Sequence, residues 1–171
     1  MAVAITRTAN PAGVNASSNI ATYSAVDIGT ASNDRVIVIT VGTDLASSTP
    51  SACTIDFGGG DATMTIGTSA SLGNVRARMF YLHAPTGTTA TIKVTYSATN
   101  PTSSENKITV YAVTGANLLS QGVDTSTDMD ATDPLTTGST VIPTNGGMLA
   151  VAVGATQSDA KTWANLTEDI D

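Results

Sequence analysis

Apolar residues in this chain recur at every second position, and no stretch keeps a helical spacing for long. In "KITVYAV" (residues 107–113), Ile108, Val110 and Ala112 alternate with Thr109, Tyr111 and Val113. A period of two sends successive side chains to opposite faces of a strand, so this pattern specifies half-buried β-structure. It predicts strands over Val3–Ala9, Ile20–Ile28, Arg35–Gly42, Ala52–Phe57, Ala62–Ile66, Val75–His83, Thr89–Tyr96, Lys107–Val113 and Gly147–Gly154, with a weaker one over Ser139–Ile142. Turn-forming clusters separate them: "ANPAG", "TASND", "SSTPS", "FGGGD", "LGN", "APTGT", "TNPTSSEN" and "PTNGG". Short strands punctuated in this way imply an all-β fold, an antiparallel β-sandwich of jelly-roll-like form. The 171 residues suffice for one such domain with a sizeable core. A short helical turn over Ala116–Gln121 is the one helical expectation.

Two further runs are apolar almost throughout. "RVIVITVG" (residues 35–42) reads as a central strand covered on both faces. "GMLAVAVGA" (residues 147–155) reads the same way, its small alanines suiting close sheet-to-sheet approach. With "KITVYAV", these runs are expected to form the middle of the sheets. From Thr114 to Ile142 the alternation weakens into an acidic, turn-rich connector. A connection of that length crosses between sheets or carries function.

Composition narrows the function classes. Charged residues make up 12% of the chain, about half the usual share, while Thr and Ser together fill about a quarter. The net charge is −7, and seven Lys and Arg are spread thinly, so no basic stripe exists to neutralise phosphates. Nucleic acid and anionic membranes are therefore not expected partners. One cysteine, Cys53, allows neither an intrachain disulfide framework nor a cysteine zinc site, and its strand-like setting predicts a buried, inert thiol. No segment reaches the length of a membrane-spanning helix, and the first residues do not read as a signal peptide. The expectation is a soluble protein made in a cytoplasm.

Each candidate site has a chemical test. The run Gly58-Gly59-Gly60 between Asp56 and Asp61 invites a phosphate-loop reading, but a Walker A loop needs Lys-Ser/Thr and a following helix. The dinucleotide fingerprint also needs that helix, and a kinase DFG motif needs a catalytic loop and a far longer chain. A hairpin between two alternating segments meets every local requirement. The acids Asp124, Asp128, Asp130 and Asp133 could offer oxygens to Ca²⁺, yet their spacing is not that of an EF-hand, and a solvated connector with Asx turns accounts for them. His83, the sole histidine, closes a strand-like run and has no nucleophile motif nearby. Tyr23, Tyr96, Tyr111 and Trp163 could present aromatic platforms to a sugar, but Tyr81 and Tyr111 sit within strongly alternating strands that suit the core, and partial burial with the hydroxyl at the rim is the simpler reading. Asn15 and Asn165 match the glycosylation pattern, which has meaning only on a secretory route. The expectation is no catalytic, cofactor-binding or metal-binding residue.

The order "DRVIVITVG", "IDFGGGDATM", "RMFYLHAPTGTTATIKVTYS", "ITVYAVTGAN", "QGVDTSTDMDAT", "GGMLAVAVGA" resembles a β-sandwich domain of virion proteins from tailed bacteriophages and phage-like particles. The resemblance covers roughly residues 34–156, and its motifs are structural rather than catalytic. It implies a non-enzymatic virion structural protein: a capsid decoration, head-fibre or tail component that self-associates as a homo-oligomer and docks on other capsid or tail proteins. It also implies that "QGVDTSTDMDAT" is a recurrent connector, here with Met129 and Thr132 where a proline is often seen. The family pattern continues beyond "TWANLTEDID" with further strands, so the chain is expected to be a fragment, or to have its sheet completed by a neighbouring subunit. The alternative function is a carbohydrate-binding or host-adhesion sandwich, assisted by Ca²⁺ at the acidic connector and binding a cell-surface glycan.

Overall fold

In the computed structural model of the protein, residues 3–98 and 101–115 are described. They form nine strands: β1 (Ala4–Ala9), β2 (Ile20–Asp27), β3 (Val36–Asp44), β4 (Pro50–Asp56), β5 (Ala62–Thr63), β6 (Thr65–Leu72), β7 (Val75–His83), β8 (Thr89–Tyr96) and β9 (Asn106–Thr114). Two antiparallel sheets result, ordered β1-β9-β3-β7-β6 and β2-β8-β4-β5, and they pack as a β-sandwich. The expected strands over 139–142 and 147–154 and the helical turn over 116–121 lie outside the described residues.

The pairing follows one rule. β1 lies beside β9, β2 beside β8, β3 beside β7 and β4 beside β5. The chain therefore runs out along β1–β4 and returns antiparallel beside itself, turning at residues 57–61. Lateral pairs β3–β9, β4–β8 and β6–β7 then join these ribbons into sheets.

Alternation decides which faces meet. On β8, Ala90, Ile92, Val94 and Tyr96 are buried, while the intervening Thr89, Thr91, Lys93 and Thr95 are not. Ile37, Ile39 and Val41 of β3 share one core with Ile55 of β4, Ile92 and Val94 of β8, Phe80 of β7 and Val110 of β9. Each such side chain removed from water contributes about 1.5–3 kcal/mol, so repeating the pattern on both sheets makes face-to-face stacking the favoured arrangement.

The expected strand over Ala62–Ile66 is two strands in different sheets. Met64, 3% exposed, lies between them: β5 stays beside β4, and β6 crosses to the edge of the five-stranded sheet beside β7. β6 also runs on to Leu72 through the small polar residues of "GTSAS", because β7 supplies hydrogen-bond partners that no local propensity announces. The three long edge strands β1, β2 and β6 each carry a register shift, and in β2 it contains Ala25 at φ 54°. Central β3 keeps unbroken register with both neighbours. Bulged edges resist pairing with another chain.

Candidate functional site

The glycine loop joins β4 to β5, with Thr54 opposite Thr63 and Ile55 opposite Ala62, so the hairpin expected from the sequence is present. Gly58 and Gly60 adopt φ of 104° and 100°, values that side chains rarely tolerate. Asp56 Oδ1 accepts hydrogen bonds from the N–H groups of Gly58 (2.8 Å) and Gly60 (3.0 Å). Those bonds hold its carboxyl below the usual carboxylate range. The backbone donors that a phosphate would need are thus already turned onto the loop's own carboxylate, whose charge would repel an anion. Asp61 at the loop's far end forms a 2.6 Å ion pair with Lys93 on β8. Both partners are about two-fifths exposed, so the pair contributes at most about 1 kcal/mol.

The corner around His83 brings Ser32, Asp34 and His83 together, but not as a catalytic relay. Ser32 Oγ donates directly to Asp34 Oδ1, and the other Asp34 oxygen accepts the N–H of Gly115 at 2.6 Å. These two bonds, Ser32's first, lower the Asp34 pKa. His83 Nε2 lies 2.8 Å from the carbonyl oxygen of Asn33. A general base must reach its nucleophile, and here the serine is bonded to the carboxylate instead. The arrangement fastens the 32–35 turn to the end of β9.

Next to this corner lies the residue that sequence reasoning missed. Arg35 is fully buried, and its guanidinium donates only to backbone carbonyls. Nε reaches Ala84 O (2.8 Å), Nη1 reaches Ile28 O (3.2 Å) and Gly29 O (2.6 Å), and Nη2 reaches Thr86 O (2.6 Å) and Gly87 O (2.9 Å). All five guanidinium donors are used. They tie the β2–β3 loop to the β7–β8 loop across the end of the sandwich. The available signal was a charged residue opening an otherwise apolar run, "RVIVITVG".

The aromatic residues divide. Tyr23 and Tyr96 are 2% and 0% exposed, which corrects both the platform reading and the reading of a hydroxyl at the rim. The alternation of β2 and β8 turns their rings inward. The Tyr23 hydroxyl bonds Asn106 Oδ1, while Asn106 Nδ2 donates to Val14 O (2.6 Å) and Thr102 O (2.5 Å). Burial raises the pKa of both phenols, so both stay protonated; Tyr23 donates to Asn106, whereas the Tyr96 hydroxyl has no hydrogen-bond partner among the described residues. Gly13 rests on the same turn: a Cβ there would lie 2.0 Å from Ser103 O and 2.2 Å from Asn106 O, leaving room for glycine alone. Tyr81 and Tyr111 are half-buried on the outer face of the five-stranded sheet. Cys53 is buried as expected, and loss of solvent pushes its thiol up to about 12. Asn15 Oδ1 accepts the Ser103 N–H at 2.8 Å, a structural use of that side chain. Asp124, Asp128, Asp130, Asp133, Trp163 and Asn165 lie outside the described residues. Among the described residues, no group of three or more His, Cys, Asp or Glu is placed to share a metal ion.

Comparison with known proteins returned no matching family model, no matching curated protein and no matching solved structure.

Proposed function

We propose that this protein is a non-enzymatic structural component of a bacteriophage or phage-like particle, a capsid decoration, head-fibre or tail subunit, with the virion as its location. It works by self-association and by docking on other virion proteins. One observation carries the reading most: three charged groups at the described loops, Asp34, Arg35 and Asp56, are spent on the fold itself. Asp56 is occupied by glycine amides, Asp34 by Ser32 and Gly115, and Arg35 by five carbonyls. Such loops suit a scaffold whose business is its surface. The motif order described above supports the same assignment.

The winding is of the jelly-roll kind. What favours this is the pairing of outgoing with returning strands, β1 with β9 through β4 with β5, wrapped across two sheets. The contact surface for repeated subunits is the outer face of the four-stranded sheet. Thr22, Lys93, Thr54 and Thr63 lie in one register row there, and hydroxyls can hydrogen-bond through water across a wet interface. The bulged edges of β1, β2 and β6 make edge-to-edge addition the poorer route.

The test is light scattering and negative-stain imaging of the purified full chain, followed by binding to particles that lack the protein. A closed symmetric oligomer, or saturable particle binding weakened by Thr22→Glu with Thr54→Glu, is the expected result. A monomer that ignores particles but binds glycans in a calcium-dependent way would replace this reading with the adhesin.

A further inference from the structure

The two outer faces of the sandwich differ in chemistry. On the four-stranded sheet the outward row is Thr22, Lys93, Thr54 and Thr63, the composition of a solvated surface. On the five-stranded sheet the outward row is Tyr111, Val38 and Tyr81. Beside it lie Val36, Val113 and Met79, in a cluster separate from the main core. Val38 and Val113 are 1% exposed and Val36 7%, although the second sheet packs on the opposite side of β3. All nine described strands belong to the two sheets, so no described strand overlies this face.

We infer that the outer face of β9-β3-β7 is a docking surface for the following segment of the same chain, residues 116–171, with the uncharged run 147–154 seated along Val36 and Val38. The point of departure favours this occupant. Gly115 follows β9 directly, and its N–H is held by Asp34, two residues before Val36, so the segment leaves from the end of the apolar stripe. It carries "GMLAVAVG", eight residues without a charge that need an apolar partner. The central places of both described sheets are already taken by β3, β4 and β8. A tethered segment acts at an effective concentration of roughly millimolar, well above that of a second copy in dilute solution. The preceding run 139–142 is separated from it by the turn-forming cluster "PTNGG", a sequence spacing that suits a hairpin.

Paired cysteines in the full chain test this. Tyr81→Cys is combined with Ala150→Cys in one variant and with Val151→Cys in another, so that both strand faces are sampled. Cys53 is buried and stays silent. The expected result is an intramolecular disulfide in at least one pair, together with maleimide labelling of Cys at position 81 at least about tenfold slower than at an exposed control in the β3–β4 loop, Ala46→Cys. Disulfide-linked dimers would overturn the inference in favour of a second copy on this face. Fast labelling without any disulfide would overturn it in favour of a solvated face. Should Tyr81→Cys lose its melting transition, Met79→Cys on the same face takes its place, and the same results support or overturn the inference.

Discussion

Arg35 shows how a single charge is accommodated with no counter-ion paired to it among the described residues. Removing a guanidinium from water is costly unless every donor finds an acceptor, and here five backbone carbonyls supply them. The carbonyls gain as well, because they belong to loops that no sheet ladder satisfies. Lysine has three donors, so Arg35→Lys leaves at least two carbonyls without a partner. At about 1–3 kcal/mol for each, and with water reaching the part-buried ones, the expected loss is about 2–4 kcal/mol. Urea denaturation reads it as a lower midpoint with an unchanged slope; an unchanged midpoint would show that the guanidinium is dispensable. The sequence offered Arg35 only as the polar start of an apolar run. Its role depends on Gly29, Ala84, Thr86 and Gly87 converging from loops up to 52 residues away.

Among the elements, the β4–β5 hairpin was legible and the β5–β6 step was not. Three glycines between alternating segments leave a turn as the one consistent reading, because Gly58 and Gly60 occupy backbone regions open to glycine. Nothing local marks Met64 as the point where the chain changes sheet. The alternation passes through "ATMTI" undisturbed, and the partner of each half lies elsewhere in the chain. The hairpin also has a pH dependence. Hydrogen bonds from the glycine amides depress the Asp56 pKa, so its contribution is present above the unfolded value of about 3.9 and is lost as pH falls through the folded value. Wild type should therefore melt above Asp56→Ala at neutral pH, with the gap closing in acid. A gap of constant size down to low pH would show that the ionised carboxylate is not the active form.

For the whole molecule, the pairing of early with late strands sets the folding speed. Ala4 lies opposite Thr114, so β1 cannot pair until almost the entire described chain is in place. Loop closure on that scale comes before the contacts that reward it, and refolding is expected in about milliseconds to seconds. Stopped-flow fluorescence or circular dichroism measures this, and a microsecond relaxation would contradict the topology as the controlling factor. By itself the sequence determined the β class, the limits of β7 and β8, the inert thiol of Cys53 and the turn at "FGGGD". Each follows from local alternation, burial preference or glycine's backbone freedom, properties written into a few neighbouring residues. Only the tertiary structure decided which strands are neighbours, that Met64 changes sheet, that Tyr23 and Tyr96 lie inside, and that the two outer faces differ. Those outcomes depend on contacts between residues far apart in the chain, where the energy belongs to the pair and neither partner carries it alone.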